Sequence, residues 1–347
     1  LRVSFFGGGT DYPDYFQEFP GAVLGTAIDK FIYTVTLPMA GVAETRYRIT
    51  YRNVETVDNV SEIKHNAIRA VLQDKQYDAP LNIAIISDLP GGSGLGSSSS
   101  FTVGFVKLIS HLQGRSITKL DLMREAVRVE TELLHENCGI QDQSHASFGG
   151  LNHYRFHGND FSLQPVRMTT DCRDAVNASM CLIYTGVQRS ASQTLETQIS
   201  NTRERKIVKE LRHLYELCEE GVRVLEGNDP QRALTDLGGL LSEGWMTKRS
   251  LRPRSPRPVS MIFTKPPCHL ARMAENSAEQ AVVDLCSSSR RTTSRQSCVS
   301  ASAIRISSRY RLRTTAPVSF IVLRERQTST DAYQGSVFLK QQKTKES

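Results

Sequence analysis

Apolar positions in the first 250 residues change period repeatedly, from alternation every second residue to spacing near 3.6, which predicts strands interleaved with helices. Residues 3–6 form a short apolar run, 22–38 are rich in β-branched and aromatic side chains, and 46–52 alternate, all in the manner of strands. Residues 63–72 have helical spacing, and 81–86 read as a buried strand. The stretch Pro90-Gly-Gly-Ser-Gly-Leu-Gly-Ser-Ser-Ser-Ser100 breaks the pattern, and an apolar-periodic helix follows at 101–112. Thr118 with Asp121 predicts a capping box that opens a helix reaching residue 134. Gly149 and Gly150 introduce another strand, and 180–184 reads as one more. Helices are expected at 203–226 and 230–245, with Asn228-Asp229 as turn and cap between them. Beyond Leu251 neither period persists over a useful length, and no segment repeats another.

The chain has 347 residues, 39% hydrophobic, enough for one large or two ordinary domains, which excludes wholesale disorder. No stretch reaches 18 consecutive apolar residues, and no basic-then-apolar segment opens the chain, so neither a membrane-spanning helix nor a secretory signal is expected. A cytoplasmic location is expected. Because the sequence starts at Leu1 and runs straight into a strand-like segment, a short preceding piece is also expected. Seven cysteines without CxxC or Cys/His metal spacing fit a reducing compartment. The net charge of +7 suggests nucleic acid until it is divided along the chain. Residues 1–251 carry 26 Lys+Arg against 30 Asp+Glu, while 252–347 carry 17 against 6 and hold one of the 23 glycines. The basicity belongs to an arginine- and serine-rich tail without interleaved aromatics, so neither a nucleic-acid nor a membrane partner is expected.

Candidate chemistry lies in two places. The turn Pro90, Gly91, Gly92, Ser93, Gly94, Leu95, Gly96, Ser97, Ser98 follows a predicted strand and opens a predicted helix. Glycines let the backbone approach a ligand closely, and free N–H groups at a helix start favour an anion, so the turn reads as a phosphate cradle. It lacks the spacing and lysine of the usual P-loop. Glu130 and Asp142 form the second constellation. Phosphoryl transfer needs a magnesium clamp and a carboxylate that orients or deprotonates the attacking hydroxyl, and two acids with a serine hydroxyl suffice. On spacing alone, Glu130 reads equally as an ordinary helix-surface carboxylate and Asp142 as a helix cap. His135 and His145 lack a third ligand at metal spacing and read as ordinary polar residues. Cys138 reads as a packed thiol and Trp245 as core.

Together, Arg2-Val-Ser-Phe-Phe-Gly-Gly-Gly-Thr-Asp11-Tyr, the loop from Pro90 to Ser100 and Cys138-Gly-Ile-Gln-Asp142-Gln resemble two signature motifs and the catalytic segment of the GHMP kinases. That superfamily includes galactokinase and the homoserine and mevalonate kinases. Within it the chain is most similar to the heptose 7-phosphate kinases, through residues 5–13, 139–143, 148–152 and 184–191. The resemblance covers residues 1 to about 250. It implies an α+β, two-domain fold. Residues 1–165 would form a ribosomal protein S5 domain 2-like nucleotide-binding domain, and 166–251 the start of a ferredoxin-like C-terminal domain. It implies ATP and Mg2+ as cofactors and a sugar phosphate as the small-molecule partner. Asp142 matches the catalytic carboxylate, Arg2 the arginine beside it, Glu130 the magnesium-binding glutamate, and Ser98 the serine that also reaches the metal. Asp11, with Gly8, Gly9 and Thr10, matches the sugar-binding turn. Galactokinase carries a Glu-His pair where this chain has Gly8 and Gly9, which argues for a larger sugar phosphate. Arg189 is a candidate for its phosphate, and reads equally as an arginine at a strand end. Kinases of fucose or another sugar phosphate, or a non-catalytic sugar- or nucleotide-binding protein, are the alternatives.

The family's third motif, a glycine-rich loop of the C-terminal domain, is missing. When triplets start one base earlier, the codons allowed for residues 273–286 permit Gly-Gly-Lys-Phe/Leu-x-Gly-Ala-Gly-Gly-Gly-Gly-Phe, which resembles that motif at its expected place. A frame change between about residues 249 and 259 is therefore expected. Residues 252–347 would then be an out-of-frame, disordered tail, and this chain could be inactive for want of the motif.

Overall fold

Strand β1 (Arg2–Phe6) pairs antiparallel with β2 (Gly21–Ala27), the central strand of a sheet ordered β1-β2-β7-β8, where β7 is Leu151–His157 and β8 is Asp160–Pro165. The computed structural model describes residues 1–39, 45–183, 199–251, 282–285 and 321–322. All seven residues of β2 are buried, because helix Val208–Leu225 packs on one side and α5 (Gln141–Phe148) on the other. This accounts for a strand that reads as a continuous small and apolar run instead of alternating.

A second sheet contains β3 (Ile32–Pro38), β4 (Tyr47–Thr50), β5 (Val54–Val57) and β6 (Leu81–Ser87) in the order β3-β6-β4-β5, with Ile321–Val322 parallel to β3 at its edge. Helices α2 (Asn66–Asp74), α3 (Ser97–Leu112) and α4 (Lys119–Arg128) cover it around Tyr47, Ile49, Ile68, Val71, Phe105 and Ile109. The expected cap of α4 is present, with Thr118 Oγ1 accepting from the Asp121 N–H at 3.1 Å.

Several expectations shift. The helix predicted to residue 134 ends as α-helix at Arg128 and continues as one π-turn, Val129–Leu133, closed by Leu134 N–H to Val129 C=O at 3.0 Å. Such widened turns concentrate at functional sites, and this one contains Glu130. The run 22–38 divides into β2 and β3. The helix expected from 203 begins at Val208, three residues after Arg205 takes a φ of 56°. The next runs five residues further than expected, as Pro230–Ser250, and starts on the expected cap: Asp229 Oδ1 accepts from Gln231 and Arg232 N–H. Helix α5 escaped the hydrophobic pattern because the residues it buries are Gln143, Ser144, His145 and Ser147.

Helix Val208–Leu225 buries Leu211, Leu214, Leu217, Cys218, Val222 and Leu225 in one core with Val3, Phe6 and Leu24 of the first sheet. The C-terminal helices end in the same core at Leu251, 7% exposed. In the tail, Val282–Leu285 pairs antiparallel with Met180–Ile183. Arg189 lies outside the described residues. Among the described residues no helix is long and apolar enough to cross a membrane.

Candidate active site

Arg2 at the start of β1 ties three parts of the chain together. Its Nε and Nη2 each lie 2.7 Å from Asp142 Oδ1, its Nη1 donates to Gly94 C=O at 2.8 Å, and its backbone N–H donates to Leu95 C=O at 3.1 Å. The acid is thereby held against the glycine turn, on the first turn of α5. Both guanidinium contacts fall on Oδ1, so Oδ2 faces Gly96, where an added Cβ would sit 3.2 Å from it. A forked guanidinium on one oxygen leaves the other for a substrate hydroxyl.

The turn is built from alternating left-handed glycines, with φ of 74°, 74° and 70° at Gly92, Gly94 and Gly96. L side chains rarely adopt that region, so glycine at these positions is a backbone requirement. Pro90, Gly91 and Gly92 are exposed, while Leu95, 2% exposed, anchors the turn in the core. Gly96 is the residue before α3, so the turn ends where the N–H groups of a 16-residue helix begin.

Glu130 is 1% exposed, which removes its reading as a surface carboxylate. One oxygen, Oε2, accepts from Ser99 Oγ at 2.8 Å and Gln143 Nε2 at 2.6 Å, while Oε1 is buried without a partner. Burial pushes its carboxyl pKa up, and the hydrogen bonds from Ser99 and Gln143 oppose that shift. Ser99, not Ser98, makes the bond, since consecutive helix positions point about 100° apart; Ser98 is exposed beside the turn. Magnesium accepts one or two carboxylates with the remaining positions filled by phosphates and water. The unpartnered Glu130 oxygen fits that role, and no group of three or more His, Cys, Asp or Glu offers an alternative among the described residues.

The Gly7–Thr10 turn adjoins the acid. Asp11 is fully buried; its Oδ1 accepts from Gly9 N–H at 2.9 Å and its Oδ2 from Gln141 N–H at 3.3 Å. Burial pushes its pKa up, with the nearby Asp142 charge adding to the shift and the two N–H bonds opposing it. Asp11 thus positions the start of α5, and Thr10, also fully buried, spends its hydroxyl on the Gly7 and Ala22 carbonyls. Gly8 and Gly9 form the remaining wall. In the sequence Gly139 is marked only as part of the 138–143 motif, with no role of its own, and a Cβ there would lie 2.0 Å from Asp11 Oδ2. Gly139→Ala is expected to cost roughly 1–3 kcal/mol of stability by overpacking, measurable as a lowered melting temperature.

His145 is fully inside. Its Nδ1 lies 2.7 Å from Gln141 C=O, a geometry in which Nδ1 donates, and its Nε2 has no partner. Burial lowers its pKa from 6.5 to about 4. A neutral ring in the folded state contributes stability above pH 6.5 that is lost as pH falls towards 4, up to roughly 3 kcal/mol. The melting temperature of His145→Asn should accordingly fall less steeply across pH 6.5 to 4 than that of the parent; parallel curves would remove His145 from the acid response. Comparing the two proteins cancels the opposite contributions of Asp11 and Glu130. Cys138 lies 3.5 Å from Gln143 Nε2, and burial beside Glu130 pushes its thiol far up, as befits a packed thiol.

The geometry of turn, acid and buried glutamate agrees with sequence similarity. Residues 62–150 match the family model "GHMP kinases N terminal domain". Over those residues the chain is similar to the N-terminal domain of the GHMP kinases. The match spans the glycine turn, Glu130 and Asp142. The chain is 24% identical over 259 residues to the D-glycero-alpha-D-manno-heptose 7-phosphate kinase of Campylobacter jejuni, covering 72% of this chain and 75% of that one. It is 32% identical over 164 residues to the galactokinase of Thermotoga maritima, 45% of this chain and 44% of that one. Among solved structures, a D-glycero-D-manno-heptose 1-phosphate kinase from Bacteroides thetaiotaomicron superposes with a TM-score of 0.59 at 20% identity, covering 72% of this chain and 78% of that one. Lactococcus lactis galactokinase complexed with galactose gives 0.53 at 16%, covering 72% and 73%. The fold is that of the GHMP kinases, and the relatives indicate a phosphotransferase by descent.

Proposed function

We propose that the lineage of this chain transfers the ATP γ-phosphoryl group to the anomeric hydroxyl of D-glycero-D-manno-heptose 7-phosphate in the cytoplasm. The observation that carries the kinase reading is the placement of Asp142, held through one oxygen by Arg2 with the other facing the Gly92–Gly96 turn. The turn cradles the phosphates of ATP. Glu130 and the Ser98 hydroxyl hold Mg2+, with Ser99 and Gln143 fixing the glutamate. Bound magnesium neutralises phosphate charge. Asp142 takes the proton of the anomeric hydroxyl as its oxygen bonds to the γ-phosphorus and the bond to the β,γ-bridging oxygen breaks, releasing ADP. Arg2 keeps the acid oriented and supplies positive charge beside it. Similarity to the Campylobacter heptose kinase and the side-chain-free Gly8-Gly9 wall support heptose 7-phosphate over galactose.

We also propose that residues from about 252 onward are translated out of frame, leaving the chain without the third motif. Resequencing the DNA for codons 245–262 tests this directly. For the substrate, ADP release by the frame-restored protein is compared with heptose 7-phosphate, fucose and galactose. Preference for galactose would return the assignment to a general GHMP sugar kinase.

A further inference from the structure

Three consecutive residues in the first turn of α5 reach three different parts of the cleft. The Gln141 N–H donates to Asp11 Oδ2 at 3.3 Å, Asp142 Oδ1 takes the forked guanidinium of Arg2, and Gln143 Nε2 donates to Glu130 Oε2 at 2.6 Å. The first contact belongs to the sugar-side turn, the second to the phosphate turn and the third to the buried glutamate. Gln143 is fully buried, and its Nε2 lies against two acceptors, the Glu130 carboxylate and Cys138 Sγ at 3.5 Å, which fixes the amide orientation. Its Oε1 is left buried without a partner. An unsatisfied buried acceptor is a cost that a methionine of similar size would not carry. Packing therefore does not account for an amide at position 143, whereas the Nε2 bond to Glu130 does. That carboxylate oxygen is a junction of two helices: Ser99 Oγ reaches it from α3, which the phosphate turn opens, and Gln143 reaches it from α5, which carries Asp142. Ser99 registers the glutamate to the phosphate turn. Gln143 registers it to the base.

We infer that Gln143 is the positioning residue that couples the metal-binding glutamate to the base: it locks Glu130 to the helical turn of Asp142, so that a loaded Glu130 holds the base still. This rests on the kinase reading above and deepens it by naming the link between two of its parts. Glu130 enters on a π-turn, away from the regular ladder of α4, so the direction of its carboxylate is set by the side chains that bond it. Both of those donors are neutral. With Oε2 occupied by an amide and a hydroxyl, the carboxylate keeps its full charge, and Oε1 is the oxygen left over. A cationic donor at position 143 would cancel that charge. Groups that bond a metal ligand in this way commonly change metal affinity when removed, without touching the ion themselves. Gln143 differs from Ser99 in what it brings to the junction, because its own backbone is the next residue after Asp142.

The test uses the full chain with ADP, with Mn2+ titrated by electron paramagnetic resonance and amide hydrogen exchange followed with and without Mg2+. Gln143→Met keeps the volume while removing both the donor and the unsatisfied acceptor. It is expected to melt at or above the parent temperature, to bind metal-free ADP as the parent does, and to lose about tenfold to a hundredfold in affinity for Mn2+ in the ADP complex. Adding Mg2+ to the parent's ADP complex should slow exchange across residues 139–148. At saturating Mg2+ that protection should be absent from Gln143→Met. Ser99→Ala removes the other donor to the same oxygen, and should lower Mn2+ affinity while keeping the protection once saturated. Gln143→Asn withdraws the amide from Glu130 by one methylene; it should behave like the methionine variant and carries the test if that one fails to fold. Unchanged Mn2+ affinity and protection in Gln143→Met would overturn the inference and leave Glu130 as the metal residue. A lowered melting temperature with faster exchange before metal is added would also overturn it, since Gln143 would then support only the fold. Equal loss of protection in Ser99→Ala would take the coupling away from Gln143. Absence of any metal-dependent nucleotide binding in the parent would overturn the metal reading of Glu130, and this inference with it.

Discussion

Asp142→Asn, introduced into a chain whose frame is restored beyond residue 251, is expected to lower turnover by about two to four orders of magnitude while leaving Mg-ATP affinity within a few-fold. The substitution is nearly isosteric, and the amide oxygen can still accept from Arg2, whose Nε and Nη2 both reach Oδ1 at 2.7 Å. Arg2 also holds the phosphate turn through Gly94 and Leu95, independently of the acid, so the turn should keep its shape. What is lost is the negative Oδ2 facing Gly96, the atom assigned to the acceptor proton. Loss of kcat with preserved nucleotide binding is the pattern of an interaction made mainly in the transition state. Steady-state ADP release together with nucleotide titration separates the outcomes. Near-parental turnover would take Asp142 out of the reaction. A matching collapse of ATP affinity would make it a scaffold for the turn instead.

Much of this arrangement could be anticipated, and the parts that could not share a physical reason. The glycine turn was legible because alternating left-handed residues demand glycine, and Gly92, Gly94 and Gly96 meet that demand. Asp142 and Arg2 came through their motifs, 140 positions apart, and only the fold shows them joined. Glu130 could not be told from a surface acid, since the π-turn that carries it inward leaves no trace in hydrophobic spacing. Helix α5 buries glutamine, serine and histidine, and a pattern search for apolar faces passes over it. Gln143 is one more polar residue beside the acid until packing sets its amide 2.6 Å from Glu130. Local rules find backbone constraints and caps, while groups that act through long-range burial emerge only from the assembled core.

Restoring the reading frame after residue 251 is expected to have the largest effect of all, converting a chain with no measurable kinase activity into one turning over on the order of 1–100 times per second. The first motifs alone are not expected to suffice, because the third, absent from this sequence, belongs to the domain expected to close the other side of the phosphate site. The apolar face of helix Val208–Leu225 is covered by the first sheet, and Leu251 is buried in the same core. The boundary of protease resistance is therefore expected at the end of helix Pro230–Ser250. Limited trypsin treatment should therefore cut first among the arginines of 252–347, where composition lacks the apolar periodicity needed to pack, and leave a product ending near 251. The frame-restored protein should resist cleavage in the same region and gain activity. Mass spectrometry of the digests, run beside the ADP assay, decides the matter: a resistant tail with normal turnover in the present chain would establish 252–347 as a working domain and refute the frame change.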